Sequence, residues 1–274
     1  MRPWWSLLAL LGAWGVVGAT GAVDARVLPG PVDVVRAGAG LVAAGTLLPA
    51  LAVSVARLVV GVVVGVVLGL ALGLVAGLSR TGHDVVDRPV QAVRAVPFTA
   101  LTPLLVVWCG IGETPKILLV VVATLVPTYV ATVAGVHGVD PLLREVAAVL
   151  HLGRWGTTWH VVLPGALPSV LAGVRLALGT GWVAVIVAEQ IATDRGVGAL
   201  LTDARTWART DVVVLCVALY AALGLLTDAL VRAAEHRALA WRTTAGPPAG
   251  AGVPSPDDGD PTHLRPVPSR QESS

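Results

Sequence analysis

Gly138-Val-Asp140-Pro141-Leu-Leu-Arg144-Glu145-Val146-Ala147, then His151, then Val161-Val-Leu163-Pro164-Gly-Ala-Leu-Pro168, make a polar interval in an otherwise apolar chain. Apolar runs flank it, from Ile117 to Val136 and from Val170 to Ala192. Each is close to the roughly 20 residues a helix needs to cross about 30 Å of hydrocarbon. The interval therefore reads as a loop between two membrane spans. Asp140-Pro141 is a helix-start signal, a side-chain cap followed by a residue preset for the first turn. Glu145 then falls near the positive end of a short helix, which favours a carboxylate. Leu152, Trp155 and Trp159 follow. An amphipathic connector is one reading; the other is a docking element, because an exposed Trp pair on a loop otherwise lacks a partner.

The rest of the chain agrees with a membrane setting. It has 274 residues, 55% hydrophobic and 13% charged, with a mean hydropathy of +0.79, against about 25% charged in soluble domains. Six candidate spans stand out: Trp5 to Val23, Leu51 to Leu78, Ala95 to Gly110, Ile117 to Val136, Val170 to Ala192, and Val212 to Val231. The fold expected is all-α, with the 137–168 loop between spans four and five. The third run is short and carries Pro97 and Pro103, so a kink or tilt is expected there. Arg2 before the first run, and small residues near Ala19 to Ala22, mimic a signal peptide; with five spans following, an uncleaved signal anchor is the simpler reading. The chain then divides into an N-terminal span (1–27), an external segment (28–50), the membrane domain (51–242) and a tail (243–274) whose Thr, Gly, Pro, Asp and Ser content predicts disorder.

Positive residues near span ends remain on the cytoplasmic side. With both termini inside, the cytoplasmic segments hold Arg2, Arg80, Arg88, Arg94, Arg144, Arg154, Arg232, Arg237 and Arg242. Arg26, Arg36, Lys116, Arg195, Arg205 and Arg209 then lie outside. This orientation puts the 137–168 loop in the cytoplasm.

Several functions are disfavoured. The net charge of +2 comes from scattered Arg without interleaved aromatics, so nucleic acid is not an expected partner. Cys109 and Cys216 have no zinc-type spacing and read as buried small hydrophobes; no metal site is expected. A phosphate-binding loop needs a Lys after a glycine-rich turn. The only Lys is Lys116, in Glu-Thr-Pro-Lys, so any ATP that drives this chain is hydrolysed elsewhere, and no cofactor is expected in the chain itself. An ion-coupled secondary carrier, the main rival, usually needs acids deep in the bilayer, and the spans hold few. Glu189 is the exception, with Trp182 two turns before it. It either lines a translocation path or pairs at the interface with Arg195, Arg205 or Arg209, and the interfacial reading is preferred.

The loop's spacing resembles that of permease subunits of ABC importers: Glu-Ala-Ala, three residues, Gly, nine residues, Ile, one residue, Leu-Pro. Glu145, Ala147, Val161, Leu163 and Pro164 fall in register, while Val146 replaces an Ala and His151 replaces the Gly. His tolerates a positive φ less well than Gly, so Gly153 is the expected substitute for the turn. Further segments are similar to the permease group for sulfonates, taurine and nitrate: Leu28-Pro29-Gly-Pro31, Ser54-Val-Ala-Arg57, Arg94-Ala-Val-Pro97, Trp108-Cys-Gly110-Ile-Gly112-Glu113, Gly173-Val-Arg175 and Gly196-Val-Gly198. The resemblance runs from about Leu28 to Arg242. It implies a non-enzymatic permease pair in the lipid bilayer, a homodimer, with two ATPase subunits on the cytoplasmic loops and an extracytoplasmic binding protein delivering a small anion. It also implies an ATPase-coupling role for Glu145, Ala147, Leu152, Gly153, Trp155, Trp159, Leu163 and Pro164. Glu189, Trp182 and Arg94 are the candidates for the pathway.

Two patterns keep structural readings. Gly61, Gly65, Gly69, Gly73 and Gly77 recur every fourth residue and line one helix face, where small residues let a second helix approach closely in lipid. Arg57, Arg94 and Arg175 read as span-end anchors reaching for the interface, although each would attract an anion.

Overall fold

The computed structural model describes residues 5–20, 23, 24, 26–191 and 194–239, and every regular element among them is helical. The tail predicted to be disordered lies outside the described residues, as do Arg2 and Arg242. The chain divides into two compact units after Glu235, and the helical bundle up to that residue is the first of them.

Among the described residues, four stretches are long and apolar enough to cross a membrane: Leu47–Leu78, Glu113–His137, Arg154–Glu189 and Thr210–Ala238. Before them come α1 (Trp5–Thr20) and α2 (Pro31–Ala43); α3 is Leu47–Leu78. At 1.5 Å per residue α1 extends about 24 Å, less than the hydrocarbon thickness. The expected third span is not one helix. Instead α4 (Arg80–Ala95) is followed by a 3₁₀ turn (Phe98–Leu101) and α5 (Thr102–Cys109), with an 88° bend between Arg80–Ala95 and Phe98–Cys109. Pro97 forces the break, because it disfavours helical geometry at Val96, which is extended at ψ 125°. Counting the bent pair as one broken span gives five crossings among the described residues, against the six runs expected, and the kink expected in the third is present. Next come α6 (Glu113–His137), α7 (Pro141–Val149), α8 (Arg154–Thr157), a π-helical turn (Thr158–Val162), α9 (Leu163–Glu189), α10 (Val197–Thr206) and α11 (Thr210–Ala238).

The glycine ladder packs against α6, as its spacing predicts. A Cβ on Gly61 would lie 2.5 Å from Val120 Cβ, on Gly69 2.7 Å from the Leu125 carbonyl, on Gly73 2.6 Å from Thr132 Cβ and on Gly77 2.8 Å from Val136 Cβ. The approach is closest at Gly65, against Thr124 Oγ1. The opposing face of α6 repeats at the same interval, as Val120, Thr124, Thr128, Thr132 and Val136, all buried. The threonine hydroxyls turn back to carbonyls one turn earlier, Thr128 Oγ1 to Thr124 O at 2.8 Å and Thr132 Oγ1 to Thr128 O at 2.7 Å, so no polar group is left unpaired in the seam. Ridge and groove rise together along both helices, so α3 and α6 run parallel. The chain must therefore return between them, and α4 with α5 makes that return. α9 lies antiparallel to α6, with Gly135 against Ala166 and Gly173 against Ala131.

Cys216 is fully buried, as expected, but Cys109 is exposed at the end of α5. A helix of eight residues capped by Gly110 does not carry Cys109 into the core.

Candidate functional site

The 137–168 loop forms three short elements. Asp140 caps α7 through its side chain, accepting from Leu142 N at 2.9 Å, with Pro141 in the first turn. Glu145 is the fifth residue of α7, beyond the first turn, so dipole stabilisation there is weak; the expected role in holding the helix start belongs to Asp140. α7 is tied to the end of α6 by Arg144, which donates to the Val136 carbonyl at 2.6 Å.

The turn after α7 is made by His151 at φ 54°, while Gly153 is extended at φ −60°, ψ 170°. The expectation that Gly153 would replace the missing glycine is thus overturned. Leu152 N donates to Ala147 O and His151 N donates to Ala148 O, both at 3.0 Å. This is the paired bonding of a left-handed helix cap. Two satisfied carbonyls offset the strain of holding a histidine there. Ala147 is buried, Leu152, Leu163 and Pro164 are half-buried, and Glu145 and Gly153 are exposed. Leu142, Leu143, Val146, Val149, Leu150, Trp155 and Trp159 are all more than half exposed, Trp155 at 79%.

At the opposite end of the bundle the structure builds a site that the sequence only hinted at. Glu189 is 1% exposed and closes α9. It accepts from Arg57 Nη1 at 2.7 Å, Ser54 Oγ at 2.8 Å, Gly198 N at 2.8 Å and Tyr220 Oη at 3.0 Å. Ser54 Oγ in turn accepts from Val197 N at 2.9 Å. Arg57, 3% exposed, also donates to both oxygens of Glu113 at 2.6 Å and to the Arg195 carbonyl at 2.8 Å. Lys116 Nζ lies 3.5 Å from Glu113. A buried carboxylate is tolerated only when paired and hydrogen-bonded, and here both conditions hold. The cluster joins α3, α6, α9, α10 and α11.

Two expectations fail at this cluster. Glu189 pairs with Arg57, three turns into α3, not at an exposed interface; Arg205 instead reaches Gln190 at 3.2 Å. Arg57 does not snorkel to an interface. Arg175 is likewise ion-paired, to Asp228 at 2.6 Å, and Arg94 is exposed at the end of α4. Trp182 is buried edge-on against Tyr220, ring centroids 6.2 Å apart, and donates to Thr227 Oγ1 at 3.0 Å. The signal that could have revealed the cluster was Gly196-Val-Gly198. A Cβ at Gly196, where φ is 106°, would lie 2.5 Å from the Glu189 carboxylate, and one at Gly198 would strike the Glu189 side chain.

Residues 61–239 match the family model of the binding-protein-dependent transport system inner membrane component. The chain belongs to that family. It is 43% identical over 241 residues to an Escherichia coli (strain K12) protein named as an aliphatic sulfonates transport permease, SsuC, covering 88% of this chain and 92% of that protein. It is 39% identical to the Bacillus subtilis (strain 168) protein of the same name, over 86% of this chain and 85% of that one. It is 35% identical to the taurine transport system permease TauC of Escherichia coli, over 86% and 88%. In fold it is similar to the MetNI methionine ABC transporter in an inward-facing conformation, with a TM-score of 0.55 at 21% identity, over 66% of this chain and 92% of that one. A second similar structure is an amino acid ABC transporter, with a TM-score of 0.59 at 18% identity, over 69% and 92%. The chain is a multi-pass transport permease of the ABC importer type.

Proposed function

We propose that this permease carries small organosulfonate anions inward, delivered by an extracytoplasmic binding protein, and that two copies form the pathway. The relatives named for aliphatic sulfonates and for taurine support the substrate class, because both ligands carry a sulfonate group. Both termini and the 137–168 loop face the cytoplasm in this reading. The loop receives a separate ATPase subunit, which binds the ATP that this chain has no phosphate-binding loop to hold.

One observation supports the coupling role: seven large apolar side chains of the 137–168 loop stand more than half exposed. Such a surface is costly in water and suits a groove in a partner protein. Trp155 and Trp159 are the anchors, Glu145 supplies charge at the edge, Ala147 and Leu152 hold the turn, Gly153 opens α8, and Leu163-Pro164 begins α9. At the other end, Glu189 and Trp182 act as a lock between helices and not as ligands of the solute; Arg94, exposed at the end of α4, is the pathway candidate that retains a free guanidinium to meet an anion.

The test is reconstitution in proteoliposomes with a candidate ATPase subunit and a candidate binding protein from the same organism. Uptake of a radiolabelled alkanesulfonate should require all three components and ATP. Uptake by this chain alone under an ion gradient would instead establish a secondary carrier.

A further inference from the structure

We infer that Arg175 in α9 binds the sulfonate group of the solute, and that the cleft between α9 and α11 in which it stands takes the alkyl chain. This rests on the sulfonate reading above and adds a place for the solute within the chain. Arg175 lies 12 residues from Leu163 and 14 from Glu189, the ends of α9, about 18 and 21 Å along the axis. A hydrocarbon layer about 30 Å thick contains it wherever that layer falls along the helix. The same holds for its partner Asp228, 18 residues from Thr210 and 10 from Ala238 in α11. Charged groups at such depth do not face acyl chains; they face the bundle interior or a water-filled cavity, and they mark solute pathways.

The ion pair is not sealed. The Arg175 and Asp228 side chains are 41% and 31% exposed, so the pair opens onto free space between the two helices. Arg175 commits Nε to Asp228 Oδ1 at 2.6 Å. Its two terminal amino groups, which carry four of its five donors, make no hydrogen bond among the described residues. Asp228 is shared in turn, because Arg232 reaches its other oxygen, Oδ2, at 2.8 Å. An incoming anion can therefore take Arg175 without leaving Asp228 as a lone charge in the membrane. Two guanidiniums around one carboxylate leave an excess of positive charge at this level. Glu235 also lines the cleft, but it stands seven residues beyond Asp228 on α11, about 10 Å along the axis.

The shape of the cleft fits an anion that carries an apolar chain. Its volume is about 530 Å³, and beside the charged groups its wall includes Leu176, Gly179 and Val183. Leu176 and Val183 are exposed there. Helical side chains lean toward the N-terminus, so a side chain at position 179 would lie over Arg175 and Leu176. Gly179 leaves that patch bare, and a Cβ built on it meets nothing within 4 Å. The guanidinium fork matches two oxygens of a sulfonate, while Leu176 and Val183 offer the apolar surface that an alkyl chain needs.

The experiment uses the full chain in nanodiscs of zwitterionic lipid, without ATPase or binding protein. Sodium butane-1-sulfonate is titrated against sodium chloride at equal ionic strength, and the thermal unfolding midpoint is read. Butanesulfonate should stabilise saturably. Arg175→Gln should raise the half-saturating concentration at least about ten-fold, as loss of a charge-assisted hydrogen bond implies, and Arg175→Lys, which keeps the charge but not the fork, should restore part of it. Gly179→Val fills the cleft and leaves every charge in place; its midpoint without ligand should match the parent, with a similar ten-fold loss of affinity. Arg36→Gln, on the exposed face of α2, should respond as the parent does. No stabilisation of the parent beyond that of chloride, or a parent-like response in either Arg175→Gln or Gly179→Val once folded, overturns the inference. ATP-dependent uptake is read separately, so if uptake succeeds where this binding fails, the transport reading stands and the site alone falls.

Discussion

Replacing Glu189 with Gln should be among the most damaging single changes in this protein. The carboxylate is 1% exposed, and its four donors come from Ser54, Arg57, Gly198 and Tyr220. An amide keeps one acceptor oxygen but turns an NH₂ toward groups that also donate. It also leaves Arg57 Nη1 facing no charge. Breaking a buried pair on one side costs about 3–5 kcal/mol. Arg57 retains Glu113, whose side chain is 55% exposed and therefore better screened, which places the loss near the lower bound, about 3 kcal/mol. That corresponds to roughly a hundred-fold change in the folded-to-unfolded ratio. The assay is equilibrium unfolding in mixed micelles followed by helical circular dichroism. A double variant, Glu189→Gln with Arg57→Met, should recover part of the loss, with a coupling of about 1–3 kcal/mol. A single variant within about 0.5 kcal/mol of the parent would refute the claim that this ion pair holds the helix ends together.

Gly69→Val should separate α3 from α6 and cost about 1–3 kcal/mol by overpacking, whereas Gly224→Ala, with open space around it, should change stability by less than about 0.5 kcal/mol; the same unfolding assay compares them. His151→Gly should raise stability by about 1 kcal/mol by relieving a left-handed conformation at a residue with a Cβ, visible as a higher unfolding midpoint. Trp155→Ala and Trp159→Ala should leave unfolding unchanged but weaken ATPase association by about 2 kcal/mol each, roughly thirty-fold, measured by co-purification at graded concentrations. Equal association in both variants would remove the docking role of this surface.

Much of the architecture was legible in the chain because lipid makes long apolar runs unambiguous, and α3, α6, α9 and α11 lie where hydropathy puts them. The glycine ladder was readable for the same reason: a strict four-residue period on one face has few other uses in a membrane helix. Its partner was not recognised, since Val120, Thr124, Thr128, Thr132 and Val136 are ordinary residues until the opposing groove is known. Around Pro97 the expected kink is present, but the bent pair begins at Arg80, in a helix too polar for hydropathy to report as part of a span. Glu189 misled through sequence distance. Its nearest cations in sequence lie just beyond α9, but the ion-pair partner comes from 132 residues earlier, and no local pattern reports that distance. At His151 the residue type argued against a turn that backbone hydrogen bonds nonetheless impose.

The seam between α3 and α6 repeats so regularly that it cannot by itself say where it begins. Sliding one helix by a single repeat, about 6 Å, would seat Gly65 on Val120 and Gly69 on Thr124, with nearly the same fit at every rung. What such a slip could not reproduce is the meeting of Arg57 with Glu113 and Glu189. The charges at one end thus act as the index mark of an otherwise uniform scale, and the alignment of the whole bundle is read from them.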